Sequence, residues 1–160
     1  MSGRFHLQLA RTCDAERIAL MSRDYVEQGL GWSWTPGRVI NRIRCPETLV
    51  LTASEASWIV GFAIMEFGEE EAHLELLGIE PDYRRHGIGR SLVSWLEGSA
   101  LTAGISIVRL ELRANNTGAL HFYQRLGYRP IRRVRGYYQG REPAIEMARD
   151  LWYAISTGAM

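Results

Sequence analysis

Six consecutive residues in the middle of the chain, Arg84-Arg85-His86-Gly87-Ile88-Gly89, stand between a strand-like and a helix-like segment. Glycine lets the backbone approach a ligand closely because no Cβ atom stands in the way. The helix that follows directs its free N–H groups and the positive end of its dipole toward this turn. The arginines add charge-assisted, forked donors. The pattern therefore predicts a site for a phosphate or pyrophosphate group.

Two common phosphate-binding loops do not fit this turn. A P-loop ends in Gly-Lys-Ser/Thr, whereas all 19 basic residues of this chain are arginine. The dinucleotide fingerprint needs three glycines and an acidic residue about 20 positions later, and only two glycines occur here. The turn thus indicates another phosphate-bearing cofactor, with a tight strand-to-helix turn that binds no ligand as the alternative.

Length and composition predict an ordinary globular protein. The chain has 160 residues, 46% of them apolar and 23% charged, with a net charge of +1. That balance argues against disorder and against a bulk attraction to nucleic acid, so no nucleic-acid partner is expected. We predict a single domain over residues 1–150 and a loose tail over 151–160, because the last ten residues show no clear pattern.

Cysteine spacing and hydropathy exclude two further classes of protein. Cys13 and Cys45 lie far apart without a metal-ligand spacing, so they are interpreted as small buried or half-buried hydrophobic residues and no metal site is expected. The chain contains no apolar run of 18 residues and no signal-peptide pattern, which predicts a cytoplasmic protein without a membrane partner. The sequence leaves monomer and homodimer open.

Hydrophobic periodicity predicts an α/β (α+β) fold with about seven strands and about four helices. Antiparallel strands followed by a crossover helix indicate a mixed, mostly antiparallel twisted sheet with helices flanking it. Thr35 and Pro36 suit the start of a helix, and Gly127 suits the end of one. The predicted strands cover residues 5–10, 48–53, 58–67, 72–79, 105–113, 128–135 and 144–148, and the helices 14–28, 36–44, 90–103 and 116–126.

Two motifs in residues 74–128 resemble those of the GNAT superfamily of acyl-CoA-dependent N-acetyltransferases. Pro81 followed by Arg84-x-x-Gly87-x-Gly89 matches the first motif. Two matches in the right order make the resemblance more specific than either match alone. The second motif is matched at Asn116, Ala119, Tyr123, Gly127 and Tyr128. Within the superfamily, the segments 110–116 and 135–147 are most similar to RimI-type ribosomal-protein alanine N-acetyltransferases, whereas the loop 29–36 is unlike the RimI loop that faces the acceptor.

This resemblance implies acetyl-CoA as the co-substrate. Its pyrophosphate would bind the N–H groups of residues 85–90, and its pantetheine arm would pair with residues 77–79 like an added strand. The second motif would contribute Asn116, which also suits the start of a helix. The full set of implied cofactor-binding residues is Leu77, Gly78, Ile79, Arg84, Arg85, His86, Gly87, Ile88, Gly89, Arg90, Asn116 and Tyr123.

Acetyl transfer to an amine needs a base for the ammonium and an acid for the leaving thiolate. Glu111 is the first candidate base, supported by the RimI resemblance and by its place among apolar neighbours; simple pairing with Arg109 or Arg113 is the alternative. Glu75, on the strand before the glycine turn, is the rival base. Tyr123 is the candidate acid, with a core aromatic as the alternative.

The acceptor side is the least determined part of the sequence. Trp32 and Trp34 are candidates for the wall of an acceptor pocket, with packing of their loop as the alternative. Glu75, Tyr137 and Tyr138 complete the predicted substrate-binding set. Three functions stay open: acetylation of a protein N-terminal amine, acetylation of a small amine, and acyl-CoA binding without turnover.

Overall fold

The computed structural model describes residues 4–156, which form seven strands and five α-helices. The helix over Ala15–Met21 continues directly into a π-helical turn at Ser22–Val26, and short 3-10 turns occupy Thr12–Asp14 and Pro81–Tyr83. The strands are β1 (His6–Leu9), β2 (Thr48–Glu55), β3 (Trp58–Phe67), β4 (Glu71–Ile79), β5 (Ile107–Arg113), β6 (Arg129–Tyr138) and β7 (Glu142–Asp150), and the helices are α1 (Ala15–Met21), α2 (Pro36–Arg44), α3 (Ile88–Thr102), α4 (Thr117–Arg125) and α5 (Leu151–Ser156).

The seven strands form one sheet in the order β1-β2-β3-β4-β5-β7-β6. Strands β4 and β5 pair in parallel, and α3 lies between them in the chain as the crossover that a parallel pair requires. The pairs β1–β2, β2–β3, β5–β7 and β6–β7 are antiparallel. The predicted mixed, mostly antiparallel sheet is confirmed. The chain divides into two compact units, which we call unit 1 and unit 2.

Unit 1 comprises the described residues up to 66 together with residues 75–96. Helices α1 and α2 bury Ile18 and Val39 against the apolar faces of β2 and β3, with Phe62 fully buried in the same core. Thr35 starts α2 by accepting a hydrogen bond from the Arg38 N–H, with proline in the first helical position, as the sequence predicts. This packing fixes the strand that leads into the glycine turn.

Unit 2 comprises residues 67–74 and the described residues from 97 onward. Residues 71–74 of β4 pair with residues 107–110 of β5, and β5 pairs along its full length with β7. Inside this unit, Glu97 accepts hydrogen bonds from the Arg149 guanidinium at 3.0 Å and from the Tyr128 hydroxyl at 2.8 Å. Gly127, with φ at 100°, ends α4 in the left-handed conformation that the sequence predicts.

The prediction of a loose tail from residue 151 is wrong for residues 151–156, which form α5. Leu151 is fully buried, and its N–H donates to the Ser106 carbonyl. The Asp150 carboxylate accepts hydrogen bonds from the N–H groups of Trp152 and Tyr153 and so holds the first turn. Residues 157–160 lie outside the described part of the chain. Among residues 4–156, no helix is both long and apolar enough to cross a membrane.

Candidate active site

The glycine turn, residues 84–90, has a left-handed backbone at Arg85 (φ 65°) and at Gly87 (φ 81°). The Ser91 N–H donates to the Gly87 carbonyl, so the backbone hydrogen bonds of α3 begin at this glycine. The first N–H groups of any α-helix lack a carbonyl partner within the helix and are free for another acceptor. A Cβ atom on Gly87 would meet no atom of residues 4–156 within 4 Å, so within the described part of the chain this backbone faces open space.

This open backbone fits the pyrophosphate of acetyl-CoA. Arg85, His86 and Arg90 are exposed on the turn, where two guanidinium groups add positive charge to that of the helix N-terminus. The Arg84 guanidinium instead donates to the Ile79 carbonyl at 3.2 Å and braces the end of β4. Ile88 and Gly89 are buried, so only their backbone is available to a ligand.

The strand before the turn is shaped by packing. A Cβ atom on Gly78 would lie 2.6 Å from the Phe62 ring and 3.2 Å from Val26, so glycine is required here by close approach. Leu77 and Ile79 are half-buried. That the backbone of residues 77–79 pairs with the pantetheine arm of acetyl-CoA stays a prediction.

In unit 2, the Glu111 carboxylate is surrounded by three donors. His73 Nε2 lies 2.6 Å from Glu111 Oε1, and the Tyr137 hydroxyl donates to the same oxygen at 3.2 Å. Arg109 donates to Oε2 at 2.8 Å. We call these four residues the Glu111 cluster. The glutamate side chain is only 7% exposed, so the pairing with Arg109 foreseen from the sequence is present but is one contact of three.

The electrostatics of the Glu111 cluster favour an ionised carboxylate. Burial alone raises the pKa of Glu111, but the hydrogen bond with His73, the charge of that imidazole when it is protonated, and the charge of Arg109 outweigh burial and leave the pKa lowered. The pKa of Tyr137 is raised to about 12 by burial and by the neighbouring Glu111 charge. Tyr137 therefore keeps its proton and serves as a donor at neutral pH.

Tyr123 lies on α4 and is almost fully buried. Its ring packs edge-on against Phe122 and Tyr128, with centroids 5.0 and 5.7 Å away. Burial, followed by a smaller contribution from Tyr138, raises the pKa of Tyr123 well above its ordinary value. The phenol thus carries a proton throughout the neutral range, which an acid needs, and its ring also has the core role named as the alternative.

Two further predicted residues have a clear local role. The Asn116 side chain accepts a hydrogen bond from the Ala119 N–H at 3.0 Å and so caps α4. Tyr138 packs edge-on against Tyr137 at 4.9 Å, and burial raises its pKa. Tyr137 thus meets the candidate base directly, whereas Tyr138 supports the ring of Tyr137.

Glu75, the rival base, lies in unit 1 against α2. Its Oε2 accepts a hydrogen bond from Arg42, which also lies 3.6 Å from Glu66. Its Oε1 is buried and has no hydrogen-bond partner among the described residues, an arrangement that normally costs free energy. One oxygen of Glu75 is therefore paired with a guanidinium, and the other lacks a hydrogen bond within the described part of the chain.

The loop between α1 and α2 is organised by a buried carboxylate, Glu27. It accepts hydrogen bonds from the hydroxyls of Ser22 and Ser33 and from the Trp34 N–H. Trp34 is buried, and the Arg38 guanidinium lies 3.7 Å from its ring centroid, so packing accounts for this residue. Trp32 is 38% exposed, and its indole N–H donates to the Ala19 carbonyl at 3.2 Å.

Sequence reasoning missed His73 and Arg42, the partners of the two candidate bases. His73 reaches Glu111 because β4 and β5 pair in parallel with His73 opposite Arg109. No spacing in the sequence specifies that register, since the paired segments are about 36 residues apart. The only signal was a histidine two positions before Glu75 in a strand of alternating pattern.

The sequence is similar to those of curated N-acetyltransferases over about half of the chain. The ribosomal protein bS18-alanine N-acetyltransferase of Escherichia coli (strain K12) is 38% identical over 93 residues, 56% of this chain and 63% of that protein. The N-terminal acetyltransferase B complex catalytic subunit NAA20 of Arabidopsis thaliana is 36% identical over 80 residues, 49% of this chain and 46% of that protein. The matches thus span less than two thirds of the length of these curated relatives.

The fold comparison extends over more of the chain. The crystal structure of the ribosomal-protein-S18-alanine N-acetyltransferase from Escherichia coli has a TM-score of 0.80 at 26% identity, covering 92% of this chain and 94% of that one. Residues 15–128 match the model of the Acetyltransferase (GNAT) family. Because this match covers more than half of the chain, the protein belongs to the acetyltransferase (GNAT) family.

Proposed function

We propose that this protein is an N-acetyltransferase that moves an acetyl group from acetyl-CoA directly to the α-amine of a protein N-terminus. The observation that carries the proposal is the Glu111 cluster, a buried carboxylate held ionised by three donors. The relatives acting on protein N-termini support this acceptor. A free α-amine has a pKa near 7.7–8.0, so at neutral pH it needs only a weak base to become nucleophilic.

The roles of the residues follow from their surroundings. Acetyl-CoA supplies an acetyl thioester, and the glycine turn binds its pyrophosphate through backbone N–H groups and the exposed arginines. Glu111 receives the proton of the acceptor, directly or through a water molecule. Tyr123 carries the proton that the departing thiolate needs. Overall, an ammonium and a thioester become an amide, a thiol and one released proton.

Glu75 has a different role in this proposal. Glu75 pairs through its Oε2 with Arg42, a guanidinium that cannot take up a proton, whereas Glu111 has a histidine partner. The Glu75 side chain is 10% exposed, which leaves a small part of it to contact an acceptor. We assign Glu75 to acceptor binding together with Trp32, Tyr137 and Tyr138.

Acetylation of a small amine is the second candidate function. It is favoured by the loop 29–36, which departs from the RimI pattern and presents Trp32 with 38% of its surface exposed. An exposed indole suits an organic cation as well as a peptide. The chemistry at Glu111 and Tyr123 would be the same.

The release of free CoA from acetyl-CoA, measured against a panel of peptides and small amines, tests the proposal. Faster release with peptides that begin with alanine or serine, and a mass increase on the peptide N-terminus, is the expected result. A matched peptide with a blocked N-terminus should give only background release. Release with small amines alone would establish the second function, and acetyl-CoA binding without release for any amine would establish a non-catalytic domain.

A further inference from the structure

We propose that His73 is the residue that holds the acceptor's proton during acetyl transfer, with Glu111 stabilising the resulting imidazolium. This inference rests on the proposed function and assigns the base to a pair of residues rather than to Glu111 alone. His73 lies on β4 and Glu111 on β5, and their side chains are 22% and 7% exposed. His73 was not among the residues that the sequence motifs identified.

The contact is the shortest of the three around the carboxylate. His73 Nε2 and Glu111 Oε1 are 2.6 Å apart, against 2.8 Å to Arg109 and 3.2 Å to Tyr137. A neutral imidazole with its hydrogen on Nε2 donates to the carboxylate and keeps a lone pair on Nδ1. This arrangement has the logic of a carboxylate–histidine pair, in which the carboxylate selects the tautomer and stabilises the protonated ring.

The other two partners of Glu111 are unable to take up a proton. The Arg109 guanidinium is permanently charged, and its pKa is raised further by Glu71 and Glu111 against the opposing effect of burial. Tyr137 already carries its proton, because burial and Glu111 raise its pKa to about 12. Among the three donors, His73 is the one whose ring nitrogen can accept a proton.

Glu111 by itself retains a proton poorly because its pKa is lowered. In the pair, the acceptor's ammonium loses one proton, and that proton ends on His73 opposite an ionised Glu111. The amine nitrogen then forms its bond to the acetyl carbon while the carbon–sulfur bond breaks, and the sulfur receives a proton from Tyr123. The second nitrogen proton replaces that of Tyr123, and His73 returns its proton to solvent, so one proton is released in each turnover.

The surroundings of the pair supply charge of both signs. Glu146 lies opposite Glu111 on β7 and pairs with Arg132 and, at 3.8 Å, with Arg109. The charged or titratable groups that hydrogen bonds or ion pairs connect to His73 and Glu111 are Glu71 on β4, Arg109 on β5, Arg132 and Tyr137 on β6 and Glu146 on β7.

The pH dependence of turnover in His73→Gln tests the pair. Glutamine can still donate a hydrogen bond to Glu111 but does not titrate. We expect the ratio of wild-type to variant kcat at saturating peptide to rise from near one at low pH to about 10²-fold at high pH. The acceptor's own titration cancels in this ratio. His6→Gln, which changes an exposed histidine on β1, should give a ratio near one throughout.

A ratio that stays flat with pH would overturn the inference, because His73 would then act only through its hydrogen bond. A second readout needs no activity: in ¹⁵N NMR spectra of the free protein, His73 should show the tautomer protonated on Nε2. Glu111→Gln should remove the protection of that hydrogen from solvent exchange, and an Nδ1-protonated ring would contradict the pair. Failure of all amines in the CoA-release assay would instead overturn the proposed function while leaving this spectrum unchanged.

Discussion

The glycine turn of unit 1 and the Glu111 cluster of unit 2 present different kinds of polar group. The glycine turn uses backbone: a left-handed glycine, a helix start and open space where a Cβ atom would stand. The Glu111 cluster uses four side chains from three strands, β4, β5 and β6. The backbone arrangement is specified by local sequence, whereas the side-chain arrangement depends on strand register.

The largest expected effect is on the side-chain site. Glu111→Gln should lower kcat by about 10²-fold or more, because the group that stabilises the transferred proton is lost. The affinity for acetyl-CoA, measured by calorimetry, should stay near that of the wild type. The matched control is Glu71→Gln, which removes another carboxylate partner of Arg109 that is exposed and outside the Glu111 cluster. Surviving turnover would place the base at Glu75 or in solvent.

The second prediction sharpens the backbone side of the comparison. Gly87→Val should weaken acetyl-CoA binding by about 10-fold to 100-fold, because a branched side chain would fill the space that the pyrophosphate needs. Gly104 offers a close control: its φ is 82°, and a Cβ atom there also meets nothing within 4 Å. Gly104→Val should therefore carry a similar backbone strain, on the order of 1–2 kcal/mol, without affecting affinity.

Equal losses of acetyl-CoA affinity in these two valine variants would mean that strain, rather than a blocked ligand, explains the effect. The pyrophosphate assignment would then be untenable. Thermal unfolding of both variants provides the comparison of strain.

The smallest expected effect concerns stability in acid. The folded protein lowers the pKa of Glu111 from 4.5, so its contribution to the free energy of unfolding is present above that value. The contribution is lost as the pH falls through the lowered value. Denaturant unfolding of Glu111→Gln should therefore show a shallower acid dependence than the wild type. An unchanged slope, equal to that of the exposed-site variant Glu69→Gln, would contradict a lowered pKa.

Local signals predicted much of this fold. Thr35 and Pro36 gave the start of α2 correctly, and Asn116 and Gly127 marked the two ends of α4. The six residues of α5 escaped detection because one helical turn and a half is too short to show periodicity. That helix depends instead on the burial of Leu151 and on the cap from Asp150.

In the candidate site, too, local features were predictable and long-range contacts were not. The glycine turn was predictable because its geometry is encoded within seven consecutive residues. The contact of His73 with Glu111 and that of Arg42 with Glu75 were not, because each joins segments more than 30 residues apart. Only the pairing register of β4 with β5 brings the first contact about. Glu111 was named as a candidate base, with Arg109 as a possible partner and Tyr137 near the acceptor, but its contact with His73 was missed.

The buried Glu27 has a consequence for how such a protein can diverge. Its carboxylate joins Ser22 at the end of α1 to Ser33 and Trp34 just before α2. The Glu27 carboxylate thus joins the residues that flank the segment 28–32. Changes of residue type within 28–32 leave these contacts of Glu27 in place, so the link between the two helices does not depend on the sequence of that segment.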